Sequence, residues 1–126
     1  MSEMGVARRV LLVEDEVLIS EMVADVLVDH GYEVHVAANA ADALKHLTCG
    51  APCDVLFTDI NLPGEVDGAA LAQLARKLRP DLPVVYASGL VAIGQFKAVP
   101  GATFVPKPYD LEAVCALLER VAAVRH

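Results

Sequence analysis

In this chain, several polar residues follow directly on short apolar runs. Glu14-Asp15-Glu16 follows the run ending at Val13, and Asp59 follows Val55-Leu56-Phe57-Thr58. Ser88 follows Val84-Val85-Tyr86-Ala87, and Lys107 follows Phe104-Val105-Pro106. Runs of this kind read as strands buried on both faces of a parallel sheet. In a right-handed doubly wound sheet all strands end on the same side. These carboxylates, hydroxyl and ammonium therefore gather at one rim, where open α/β folds bind ligands. Crowded carboxylates of Glu14, Asp15 and Asp59 repel one another and require a cation. Hard oxygen donors with room for waters suit Mg2+, held at about 2.0–2.1 Å. With Mg2+ neutralising a phosphoryl donor, an anionic Asp59 can attack phosphorus. The acyl phosphate so formed carries roughly two negative charges, and Ser88 and Lys107 can each bond one phosphoryl oxygen. Taken singly, each residue has a plainer reading. Asp59 could cap a turn, Asp15 the first helix, and Lys107 could be a solvated charge. Taken together they are poorly explained that way.

The elements that must position these residues alternate between apolar strands and segments of helical period, the pattern of a parallel sheet covered by helices. The first strand is expected at Arg9–Val13. A helix follows to about His30, with Ile19, Met22, Val23, Val26 and Leu27 as its apolar stripe. Gly31 is placed to end it in a left-handed turn. The second strand, Tyr32–Ala37, alternates polar Glu33 and His35 with Val34 and Val36, as at a sheet edge. Asn39 caps the next helix, with Ala43, Leu44 and Leu47 inward and Asp42 completing an approximate capping box. After the Asp59 strand, Asn61, Pro63 and Gly64 form a loop. A third helix opens at Asp67-Gly68, with Leu71, Leu74, Ala75 and Leu78 at helical spacing. The fourth strand is Val84–Ala87. Gly89 to Val99 is a weak helix candidate because it holds Gly94 and β-branched residues. Pro106 in the fifth strand, Thr103–Pro106, argues for an edge. Asp110 caps the last helix, whose stripe is Leu111, Val114, Leu117, Leu118 and Val121.

At 126 residues and 56% apolar composition, one domain is expected, residues 1–126 with a core at about 8–124. No apolar run approaches the ~18 residues of a membrane span, and the first residues lack the pattern of a signal peptide. A cytoplasmic protein without a membrane partner is expected. A formal charge of −7 and no basic stripe speak against direct DNA binding, and only Arg125 and His126 follow Val124. Cys49, Cys53 and Cys115 suit reduced thiols. His46, Cys49 and Cys53 lack a fourth ligand and match no common zinc spacing, so ordinary packing is the expectation there.

The ordered set Glu14-Asp15, Asp59, Ser88 and Lys107-Pro108 resembles that of a response-regulator receiver domain of two-component signalling, over nearly the whole chain. The resemblance implies an α/β, flavodoxin-like fold: a doubly wound five-stranded parallel sheet of order 2-1-3-4-5 with helices on both faces. It implies Asp59 as phosphoacceptor, and Glu14, Asp15, Asp59 and the main-chain carbonyl of Asn61 as Mg2+ ligands. Ser88 matches the hydroxyl that moves to the phosphoryl group, and Lys107 the lysine that pairs with it, before a Pro108 bond often cis in the family. Phe104 matches an aromatic switch residue, with plain core packing as an equal alternative. The implied partners are a histidine kinase or histidine phosphotransfer protein and a downstream protein target, with the domain a monomer or a phosphorylation-dependent dimer. The loop Gly64-Glu65-Val66-Asp67 is one residue longer than the commonest family form, and the span from Ser88 to Lys107 is short.

The function expected is that of a signalling switch, without turnover of a diffusible substrate. One alternative is a Mg2+-dependent phosphatase working through an aspartyl phosphate. Such enzymes commonly carry a second Asp two residues on as general acid, where this chain has Asn61, which cannot take that part. The other is a binding module of the same fold that is never phosphorylated.

Overall fold

The structure is a computed structural model that describes residues 8–88, 98–107 and 109–124, with the main chain alone at Ser88 and 122–124. Five strands, β1 (Arg9–Val13), β2 (Glu33–Ala37), β3 (Val55–Asp59), β4 (Val84–Ser88) and β5 (Thr103–Pro106), form one sheet. The strands pair in parallel in the order β2-β1-β3-β4-β5. Four helices are described: α1 (Val17–Asp29), α2 (Ala40–Thr48), α3 (Gly68–Leu78) and α4 (Leu111–Val124). Of the weak helix candidate Gly89 to Val99, residues 89–97 lie outside the described residues, and Ala98 and Val99 are not helical.

Side chains of period two divide the core between the two sheet faces. Leu11, Val13, Leu56 and Tyr86 meet Ala43, Leu47, Leu71, Ala72 and Ala75 of α2 and α3. Val10, Leu12, Val55, Phe57 and Val85 meet Val23, Leu27, Val114 and Leu118 of α1 and α4. β3 is buried along all five residues, because it lies mid-sheet with both faces covered. Each large apolar side chain so buried contributes roughly 1.5–3 kcal/mol.

The polar alternation of β2 and the proline of β5 do mark edges. The apolar stripes turn out differently in detail. In α3 the inward residues are Gly68, Leu71, Ala72 and Ala75, while Leu74 and Leu78 are 37% and 47% exposed. The helix lies close on β3, and small side chains fill the gap. Met22 of α1 and Val36 of β2 are likewise exposed.

Turn chemistry behaves as its residue types demand. Gly31 adopts φ 94° after α1, where a side chain would be strained. Asn39 Oδ1 accepts the Asp42 N–H at 2.8 Å, capping α2, although no return bond from the Asp42 carboxylate completes a box among the described contacts. Asn39→Ala should cost about 1 kcal/mol, measured as a lower urea midpoint at unchanged slope. An unchanged midpoint would mean that water caps the helix as well as the side chain does.

Candidate functional site

The sheet register sets the rim. Val13 pairs with Thr58, so Glu14, one residue on, comes level with Asp59. Asp59 pairs with Ala87 and Ser88 with Pro106, so Ser88 and Lys107 each stand one step beyond their neighbours. The ladders run past the strand ends: the Glu14 N–H donates to Ala37 O at 3.1 Å and the Ile60 N–H to Ala87 O at 3.0 Å. Backbone pairing therefore holds the site.

Glu14 and Asp59 are 3% and 6% exposed, unusual for carboxylates. They share one cation. Lys107 Nζ lies 2.7 Å from Asp59 Oδ2 and 3.2 Å from Glu14 Oε1. Asp15 is exposed yet completes the cluster: one oxygen each from Glu14, Asp15 and Asp59 lie within 4.8 Å of one another. Burial raises the pKa of Glu14; the charge of Lys107 pulls it down and that of Asp59 pushes it up, with a net upward direction. For Lys107, burial disfavours the ammonium, but its hydrogen bond to Asp59 and the charges of Asp59 and Glu14 outweigh it, and its pKa rises. Two buried acids and a third at the mouth thus face a single base. Crowded hard oxygens with positive charge in deficit are a donor set that fits a divalent cation of the oxygen-preferring kind.

The loop after β3 completes the nest. Ile60 and Leu62 turn into the core, which faces the intervening backbone back toward the strand tip. The Asn61 N–H donates to Asp59 Oδ1 at 3.1 Å. Both Asp59 oxygens are therefore held, one by Asn61 and one by Lys107.

Phe104 is half-buried and stacks on Tyr86 with ring centroids 5.4 Å apart. It packs with the α2–α3 face of the core. The Tyr86 hydroxyl accepts the Val99 N–H at 3.1 Å, tying this ring pair to the segment before β5. The Ser88 side chain and Pro108 lie outside the described residues.

An acid pair, a buried aspartate and a lysine stand together at the strand tips of a 2-1-3-4-5 sheet. The profile of the response regulator receiver domain matches residues 10–119. The chain belongs to this family.

The nitrogen assimilation regulatory protein NtrX of Azorhizobium caulinodans is 34% identical over 120 residues, covering 90% of this chain and 26% of NtrX. The response regulator receiver protein CpdR of Brucella abortus is 31% identical over 117 residues, covering 90% of this chain and 96% of CpdR. A crystal structure of a response regulator receiver protein from Sinorhizobium medicae matches with a TM-score of 0.88 at 29% identity, over 95% of this chain and 98% of that one. This chain spans about a quarter of the length of the NtrX and putative NtrX-like relatives it matches, 26% and 25% for two of them. A receiver domain is a signalling module of two-component systems. No helix among the described residues is long and apolar enough to cross a membrane.

Two residues of the receiver's rim escape sequence reasoning. Tyr109 reaches Glu14 Oε1 with its hydroxyl at 3.5 Å, sets its ring edge-to-face on Phe57 with centroids 5.8 Å apart, and lies 5.9 Å from Lys107 Nζ. Burial, then the charges of Glu14 and Asp59, push its hydroxyl well above the ordinary range, so it stays a donor. Gly68 is the other. A Cβ there would overlap the Asp59 carbonyl oxygen. Spacing alone carries no signal for Tyr109; for Gly68 the only signal is a glycine at the first position of a helix.

Proposed function

We propose that this receiver domain is the phosphoacceptor of a two-component phosphorelay, with Asp59 taking a phosphoryl group from the phosphohistidine of a histidine kinase or phosphotransfer protein. The observation that carries the reading is Lys107 Nζ at 2.7 Å from a buried Asp59 within a cluster of three carboxylates. In the reading, Glu14, Asp15, Asp59 and the main-chain carbonyl of Asn61 hold Mg2+. Bound there, Mg2+ neutralises charge on the incoming phosphoryl group. An Asp59 oxygen forms the new O–P bond as the P–N bond to the donor imidazole breaks, and that imidazole keeps the electron pair and takes up a proton. Lys107 turns from Asp59 Oδ2 to a phosphoryl oxygen, and Ser88 bonds another. Ser88 and Phe104 shift inward, favouring a form that binds the downstream target. A full change of population needs about 5.5 kcal/mol of differential stabilisation, which contacts of Lys107 and Ser88 to the phosphoryl group would supply. Hydrolysis of the acyl phosphate resets the switch. A cytoplasmic site of action goes with this reading.

The test is incubation with acetyl phosphate and Mg2+, followed by intact mass. The parent should gain one phosphoryl group and Asp59→Asn none. Equal gain in both would remove Asp59 from the role. Steady release of phosphate from many esters would favour a phosphatase.

A further inference from the structure

Lys107 serves two carboxylates at rest. Its Nζ bonds Asp59 Oδ2 at 2.7 Å and pairs with Glu14 Oε1 at 3.2 Å. A phosphoryl group on Asp59 replaces its single negative charge with roughly two, carried on the phosphoryl oxygens beside that ammonium. The ammonium is then drawn toward phosphorus, and Glu14 loses most of its share. Glu14 is buried, and a buried carboxylate without a donor is costly. Glu14 Oε2 accepts the Glu16 N–H at a long 3.4 Å. The remaining side chain that reaches Glu14 among the described residues is Tyr109, with its hydroxyl 3.5 Å from the same Oε1 that Lys107 holds.

We propose that Tyr109 is a positioning residue, whose hydroxyl keeps Glu14 oriented in the acid cluster when Lys107 is engaged elsewhere. The proposal rests on the phosphoacceptor reading above. The ring is already fixed by its edge-to-face contact with Phe57 and its packing beside the α1–α4 face of the core. The hydroxyl is thus presented at little entropic cost. The hydroxyl rests at the outer limit of a hydrogen bond, and the two side chains have roughly 0.8–1.0 Å to close between them once Lys107 withdraws. A bond from a neutral hydroxyl to a carboxylate is naturally short, about 2.5–2.7 Å. Glu14 then keeps its aim toward the cation while the ammonium serves the phosphoryl oxygens. Partners of this kind, which bond a metal-binding carboxylate without touching the metal, typically contribute 10–100-fold in metal affinity.

Tyr109→Phe separates this role from packing, because it keeps the ring and removes only the oxygen. Calorimetric titration with Mg2+, run with beryllofluoride standing in for the phosphoryl group so that Lys107 is engaged, should show affinity about tenfold lower than in the parent, with the metal-free melting curve nearly unchanged. Phosphoryl uptake from acetyl phosphate should fall at low Mg2+ and recover at saturating Mg2+. Tyr109→Leu, which loses ring and hydroxyl, should lose both affinity and stability. Parent affinity in Tyr109→Phe would overturn the proposal, most plainly if Tyr109→Leu alone is impaired, since packing would then be the whole effect. A uniform loss in Tyr109→Phe that saturating Mg2+ cannot restore would also overturn it. Failure of the parent itself to bind Mg2+ would instead overturn the reading beneath it.

Discussion

Gly68→Ala should cost the receiver domain about 3 kcal/mol of stability and most of its phosphoryl uptake. The added methyl group would meet backbone on every near side. It would overlap the Asp59 carbonyl oxygen and come 2.8 Å from Ile60 Cα. Neither atom can rotate aside as a side chain would. The start of α3 is pinned to the same loop, since the Gly68 N–H donates to Ile60 O at 2.8 Å. Two relaxations are open. If α3 lifts, Leu71, Ala72 and Ala75, all fully buried, lose their packing against the sheet. If the peptide after Asp59 tilts, the Asn61 N–H leaves Asp59 Oδ1, and the carboxylate turns away from Lys107. The first damages the fold and the second the site. Urea midpoints measure one and intact mass after acetyl phosphate treatment the other. A variant matching the parent in both would mean that the close approach of helix and strand tip is not a constraint.

The contrast between Gly68 and Asp59 shows what can be read without coordinates. Asp59 is legible because a carboxylate ending an apolar run breaks a local pattern. The rim as a whole follows from topology, since parallel strands bring their ends together whatever the loops do. The edge strands are legible for a similar reason: polar alternation and a proline are tolerated only where a ladder is incomplete. Contacts across elements leave no such mark. Tyr109 reads as an ordinary core aromatic, and its hydroxyl matters only because the β1 tip and the β5–α4 junction meet. Leu74 and Leu78 share a helical period with Leu71, and periodicity alone cannot say where the buried stripe ends. The short side chain of Ala72 marks the true contact, because α3 lies too near β3 for leucine there. Ile60 and Leu62 could have been read. They continue the apolar alternation past Asp59 across Asn61, which predicts that the loop turns inward and carries the Asn61 N–H back to the carboxylate.

Lys107→Met should lower stability by about 2 kcal/mol at neutral pH, and the loss should narrow as pH falls. Methionine keeps much of the apolar stem and removes the charge. Glu14 and Asp59 are then two buried anions with no cation between them. Removing one partner of a fully buried pair costs about 3–5 kcal/mol. The Lys107 side chain is 21% exposed, so screening by water brings the figure down. The pH dependence follows from Glu14. Burial already raises its pKa above the ordinary value of 4.5, against the pull of Lys107. Without that pull the folded value moves further up. A carboxyl whose folded pKa exceeds its unfolded one gives stability that is complete below the unfolded value and lost as pH rises through the folded value. The deficit of the variant is therefore greatest near neutrality and shrinks as pH falls through the raised folded value toward 4.5. Urea midpoints for parent and variant across that range decide the matter; a gap that stays constant with pH would assign the loss to packing rather than charge. Mg2+ should restore more stability to the variant than to the parent, because it supplies the missing positive charge. It should not restore phosphoryl uptake. Loss of one charge-assisted bond to phosphoryl oxygen, worth about 1.5–3 kcal/mol, slows transfer by roughly 10- to 100-fold, and no cation on the carboxylate side of the cluster replaces a donor that stands just past the end of β5.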